Sequence, residues 1–143
     1  MDVITLCNSI YQQLGVAHNE CVYQKALVAE LWNHGAKSVE SEKNVPVFYE
    51  DTLGVLHTIG TERIDILMRY KNDEDVTKIC LIELKATTST IRHQVEVQQL
   101  KKYHHALKHL NIHCDEMYVI NFTQNTANTT VDFMVFDDTS IYD

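Results

Sequence analysis

The segment Lys78-Ile79-Cys80-Leu81-Ile82-Glu83-Leu84-Lys85-Ala86 most narrows what this chain can become. It is strongly β-forming and nearly continuously apolar, the composition of a strand covered on both faces. Such a strand calls for a sheet with other elements layered over it. Its period of two puts Glu83 and Lys85 on one face, and Ile82 and Leu84 on the other. Two charges aimed at a covered face are costly without a partner or a metal ion. An edge strand with a solvated polar face is the competing reading.

The flanking sequence supplies the remaining layers. Val3, Leu6, Ile10 and Leu14 recur at helical spacing and predict a first helix over 3–14, closed by Gly15. A second helix is expected from Glu20 to about His34, with Tyr23, Ala26, Leu27 and Leu31 on one face and Gly35 as its stop. Residues 45–49 and 55–59 read as a hairpin around a turn near Asp51 to Gly54, and 63–68 as the next strand. After the 78–86 strand come a long helix from about Thr90 to Leu110 and two strands over 118–122 and 131–136. The expected order is α, α, β, β, β, β, α, β, β: an α/β fold with mixed strand directions.

The 143 residues contain one proline, no Gly/Ser-rich linker and no repeat, so residues 1–143 read as a single domain large enough for its own core. No run approaches the roughly 18 apolar residues that span a bilayer, and the first residues lack a basic signal region. A soluble, intracellular protein, cytoplasmic or nuclear, with no membrane partner is expected. Cys7, Cys21, Cys80 and Cys114 form no Cys-x-x-Cys pair and read as free thiols. The formal charge of −8 argues against broad attraction to nucleic acid, so any such role must rest on a local site. Clustered carboxylates that bind a divalent cation are such a site, because the metal reverses the local charge.

Asp65 lies between Ile64 and Ile66 on the preceding strand, and sequential pairing of the two strands would bring it beside Glu83. Two carboxylates, with the Leu84 carbonyl as a third donor, suit Mg²⁺. A lysine next to that ion can orient the attacking water and offset charge at a phosphate. Asp65 as a turn or surface residue is the alternative.

Asp65 followed by Glu83-Leu84-Lys85 resembles the PD-(D/E)XK nuclease superfamily. The stretch Gly15 to Tyr23, Arg63-Ile64-Asp65, Ile82 to Ala86 and Gln99-Leu100-x-x-Tyr103 are similar, in order and spacing, to its small GxxExxY proteins. The resemblance covers roughly Val3 to Phe122. It implies a restriction-endonuclease-like mixed sheet flanked by helices, metal binding by Asp65 and Glu83, and a catalytic role for Lys85. It also implies that Glu20 is a further acidic site residue, catalytic and metal-binding. Two features depart from the pattern: Ala17 stands where the family's name-giving glycine would be, and the leading Pro-Gly is absent. An acid near a helix N-terminus is also explained by the helix dipole.

In the long helix, Arg92, Glu96, Gln99, Tyr103, Leu107 and Leu110 form one stripe, polar in its first half. That pattern suggests a helix whose early turns border a wet site, and Gln99, which matches the family's helix glutamine, is expected to position substrate or water. The opposite face carries Lys101, His105 and Lys108, flanked by Lys102 and His109; phosphate contact and a solvated face explain it equally well. His105, His109, His113 and Cys114 lack the fixed geometry of a zinc site.

These features point to a metal-dependent nuclease that hydrolyses phosphodiester bonds in DNA, using Mg²⁺ with Mn²⁺ as substitute. With the roles the resemblance implies, the expected catalytic residues are Glu20, Asp65, Glu83, Lys85 and Gln99, and the expected metal ligands Glu20, Asp65, Glu83 and Leu84. So small a chain has little surface for recognising a duplex, which favours a homodimer or a partner protein. A noncatalytic nucleic-acid-binding or scaffold module, and a hydrolase of nucleotides or other small phosphates, are the competing functions.

Overall fold

Two helices open the chain, which a computed structural model describes over residues 1–143. Asp2 caps α1 (Val3–Leu14), its carboxylate accepting from Thr5 N at 3.1 Å and Thr5 Oγ1 at 2.7 Å. Gly15, at φ 68°, closes the helix by donating its N–H to Tyr11 O. Asn19 caps α2 (Glu20–Asn33), accepting from Val22 N at 3.3 Å. Both helices follow their apolar spacing closely, because cap and stop residues stand at their ends.

Five strands follow: β1 (Ser38–Glu50), β2 (Leu56–Lys71), β3 (Thr77–Lys85), β4 (Glu116–Asn121) and β5 (Asp132–Asp137). They lie side by side in chain order, antiparallel except for the parallel β3–β4 pair. That parallel step is bridged by α3 (His93–His109). A 3-10 turn over Ser140–Tyr142 ends the chain and buries Ile141. No helix is long and apolar enough to cross a membrane.

The sheet is packed on both faces, as the Lys78–Ala86 segment requires. Cys80, Ile82 and Leu84 join Leu27, Leu31 and the apolar face of α1 on one side. Leu81 joins Val97, Leu100, Leu107 and Val119 on the other. Helices α1 and α2 therefore cover one face and α3 the opposite one. Together they make a five-stranded mixed sheet with three helices, a restriction-endonuclease-like α/β fold.

Three elements differ from their sequence reading. The segments 55–59 and 63–68, expected as separate strands, fall, apart from Val55, within one 16-residue strand. Gly60 does not break it: Val47 pairs with Gly60 and Phe48 with Thr58, so Ile59 is absorbed as a bulge and pairing continues. Strand β1 begins at Ser38 instead of Val45. Its polar start, Glu40 to Lys43, lies on the sheet edge, where Glu40 meets Lys43 at 2.9 Å and Arg69 at 3.3 Å. Helix α3 begins at His93, not Thr90, because the preceding N–H groups are captured elsewhere. Thr87 N donates to Asn121 Oδ1 at 3.0 Å, and Ile91 N to Asp132 Oδ2 at 3.4 Å.

Candidate active site

The β2–β3 ladder ends at the pair Ile66–Ile82. Asp65 and Glu83, next in register, are the only buried charged residues of β2 and β3. Leu84 N donates to Asp65 Oδ2 at 2.8 Å, which fixes this carboxylate against β3. Asp65 is 8% exposed and Glu83 5%, so two carboxylates are buried side by side. Burial, followed by the neighbouring Asp65, raises the Glu83 carboxyl from its ordinary value of 4.5 to about 9. Glu83 Oε2 is buried and has no hydrogen-bond partner. An acceptor in that state is matched by a proton or a cation, and hard carboxylate oxygens suit Mg²⁺. Glu42, across from Asp65 between the pairs Ser41–Ile66 and Lys43–Ile64, has φ 55°; the β1–β2 ladder is thus distorted beside the same residue.

Lys85 shares the face of Glu83 and reaches toward α3. Its Nζ lies 3.5 Å from Gln99 Oε1 and 3.8 Å from Glu96 Oε2. Gln99 Nε2 donates to Tyr103 OH at 2.9 Å, and Tyr103 OH donates to Arg63 O at 3.2 Å. Burial, then the charge of Glu83, raises the Tyr103 pKa and keeps the phenol protonated. The early turns of α3 therefore border the carboxylate pair, and Gln99 stands beside Lys85.

Glu20 approaches from the opposite helical layer. It is exposed at the start of α2, and its pKa is raised first by partial desolvation and then by repulsion from Asp65. No group of three or more His, Cys, Asp or Glu side chains is gathered to hold an ion, so Glu20 flanks the Asp65–Glu83 pair without closing a three-carboxylate cluster. Its position is set by the α1–α2 loop. Tyr23 OH donates to Gly15 O at 2.6 Å, and Ala17 N donates to Gln124 Oε1 at 2.7 Å. Gln124 Nε2 donates to Tyr23 OH and Phe122 O, while the Tyr23 ring stacks on Phe122 at 4.4 Å. Ala17 itself has φ 71°, a left-handed conformation that glycine adopts without strain.

The basic cluster of α3 lies away from this arrangement. Lys102 pairs with Glu62 at 2.9 Å, and Lys101 sits over the Tyr142 ring at 5.8 Å. His105 and His109 contact only each other, at 3.2 Å, in their hydrogen bonding. Glu96 and Tyr103 are the two residues near the site to which the sequence reading gave no role. Their signal is the helical spacing Glu96, Gln99, Tyr103, which places all three on the sheet-facing side.

The family model of the PD-(D/E)XK nuclease superfamily matches residues 1–133. No curated protein matches the chain. Among solved structures 13 chains match. One, the crystal structure of SSO0001, has a TM-score of 0.55 at 15% sequence identity, over 82% of this chain and 50% of that one. This chain thus spans half the length of that protein, and at this identity the likeness is one of fold.

Proposed function

We propose, from the premise that this chain belongs to the PD-(D/E)XK nuclease superfamily, that it is a divalent-metal-dependent nuclease that hydrolyses phosphodiester bonds in DNA. The observation that carries this reading is the buried Asp65–Glu83 pair, with the unpartnered Glu83 Oε2 and with Lys85 on the same face. Asp65, Glu83 and the Leu84 carbonyl would hold Mg²⁺, or Mn²⁺ in its place, and Glu20 would act from outside that set. A bound divalent ion supplies charge neutralisation at the phosphate and acidity to the attacking water.

The chain's own groups do the rest. Lys85 presents a positive charge where the phosphate gains negative charge in the transition state. Gln99, held by Tyr103, orients Lys85 and the water or phosphate oxygen beside it. Glu20 three residues before Tyr23 on α2, the Tyr23–Gln124 hydrogen bond, and Ala17 in the backbone conformation expected of a glycine support assignment to the GxxExxY branch. Residues 1–143 act as one domain in this reading, and a homodimer or partner protein supplies the wider duplex-recognising surface.

The test is a titration of Mg²⁺ and Mn²⁺ with plasmid, linear duplex and single-stranded DNA, comparing the native chain with Glu83→Gln and Lys85→Ala. Metal-dependent cutting that each substitution lowers by about a hundredfold or more is expected. Absence of cutting with every polymer would overturn the nuclease reading and favour a noncatalytic binding module.

A further inference from the structure

Glu96 is a buried acid that the active-site chemistry above does not use. It lies in the first turn of α3, where the helix dipole favours an acidic residue, but an exposed acid would serve that purpose. Glu96 is instead 9% exposed, and its Oε2 has no hydrogen-bond partner. Leaving a carboxylate in that state is costly unless a cation compensates it. The one ion pair it makes is with Lys85 Nζ, at 3.8 Å.

Glu96 and Gln99 are three residues apart on α3, so their side chains stand on one face of the helix. Both aim oxygens at the same ammonium, at 3.8 and 3.5 Å. Apart from this cradle, the carboxylates that act electrostatically on Lys85 are Glu83, on its own sheet face beside Asp65, and Glu20. A lysine drawn onto those carboxylates would compete with a divalent cation and withdraw its charge from the phosphate. A carboxylate on the helix side opposes that collapse.

We propose that Glu96 is a positioning residue: from α3 it holds the Lys85 ammonium apart from the Asp65–Glu83 pair and toward the scissile phosphate. The role rests on the nuclease reading, whereas the cradle itself is a property of the fold that can be measured without cleavage. Glu96→Gln keeps the shape and removes the charge; Glu96→Leu removes the oxygens as well. Single-turnover cleavage is expected to slow about tenfold in the first and about hundredfold in the second, the scale set by misplacing a group by roughly 1 Å. The KM for DNA and the half-saturating Mg²⁺ concentration are expected to stay within about twofold, a split that general destabilisation does not produce.

The independent readout is NMR of the full chain with isotope-labelled lysine, the Lys85 signal being assigned through Lys85→Ala. In the native protein the two ε-methylene protons of Lys85 are expected to be inequivalent, and in Glu96→Gln to merge toward the exposed-lysine signal. Should that signal stay unchanged while Glu96→Gln cuts at the native rate, the proposal is overturned. Loss of Mg²⁺ binding in a folded Glu96→Gln would also overturn it, making Glu96 a ligand instead. If the native chain cuts no polymer, the nuclease reading fails, and the Lys85 signal still decides whether Glu96 holds the ammonium. Should Glu96→Leu unfold, the isosteric variant carries the test.

Discussion

Ala17 sits at φ 71° where most L-residues lose about 1–2 kcal/mol to the clash of Cβ with the backbone. The strain is held by Gln124, which accepts from Ala17 N, and by Tyr23, which anchors Gly15. Ala17→Gly is therefore expected to stabilise the protein by about 0.5–1 kcal/mol, the relief exceeding the added freedom of the unfolded chain. Urea unfolding measures it as a higher midpoint at unchanged slope; a lower midpoint would mean that the alanine methyl contributes packing that outweighs the strain. At this scale the sequence is informative where a residue contradicts its surroundings. Asp65, Glu83 and Lys85 stand out because charge interrupts apolar strands. Glu96 does not, because an acid in a first helical turn is ordinary until the helix is known to begin at His93 and turn that side chain inward.

The elements were legible where end signals coincide with periodicity, as at Asp2 and Gly15 around α1 and at Asn19 before α2. They were not where tertiary partners override local preference. Gly60 and the charged stretch around it read as a break, yet β1 pairs across them and the bulge at Ile59 absorbs the mismatch. The start of α3 is set from a distance. Asn121, 1% exposed, accepts from Thr87 N and donates to Ser89 O at 3.2 Å, tying the segment after β3 to the end of β4. Asn121→Ala leaves the Thr87 amide without its acceptor, and a loss of about 1–3 kcal/mol is expected. Hydrogen exchange is expected to accelerate first at residues 87–92, and uniform acceleration across the sheet would argue instead for a general packing defect.

For the molecule as a whole, the Asp65–Glu83 pair links stability to pH and, in the proposed function, to metal. Folding raises the Glu83 carboxyl from 4.5 to about 9, so the folded state binds that proton more tightly than the unfolded chain does. The resulting stability is complete below about pH 4.5 and is lost as pH rises through about 9. Metal-free protein is expected to melt at progressively lower temperature between about pH 5 and pH 9. If the proposed Mg²⁺ binding holds, the ion would take the place of the proton and should raise the melting temperature more at pH 8 than at pH 6. Thermal scans across pH with and without Mg²⁺ check this, with Glu83→Gln expected to flatten the metal-free slope. A slope that survives the substitution would assign the pH dependence to another group.

The parallel β3–β4 step has a consequence in time. Hairpins and the α1–α2 pair join residues close in sequence, whereas β3 cannot meet β4 until the whole crossover through α3 has been made and docked. A growing chain that has emerged only as far as Lys85 already carries both strand carboxylates and the lysine. It lacks the helix that holds that lysine in place and the strand that completes the sheet beside it. The face that carries Glu83 and Lys85 is thus completed only once α3 and β4 have been made and docked.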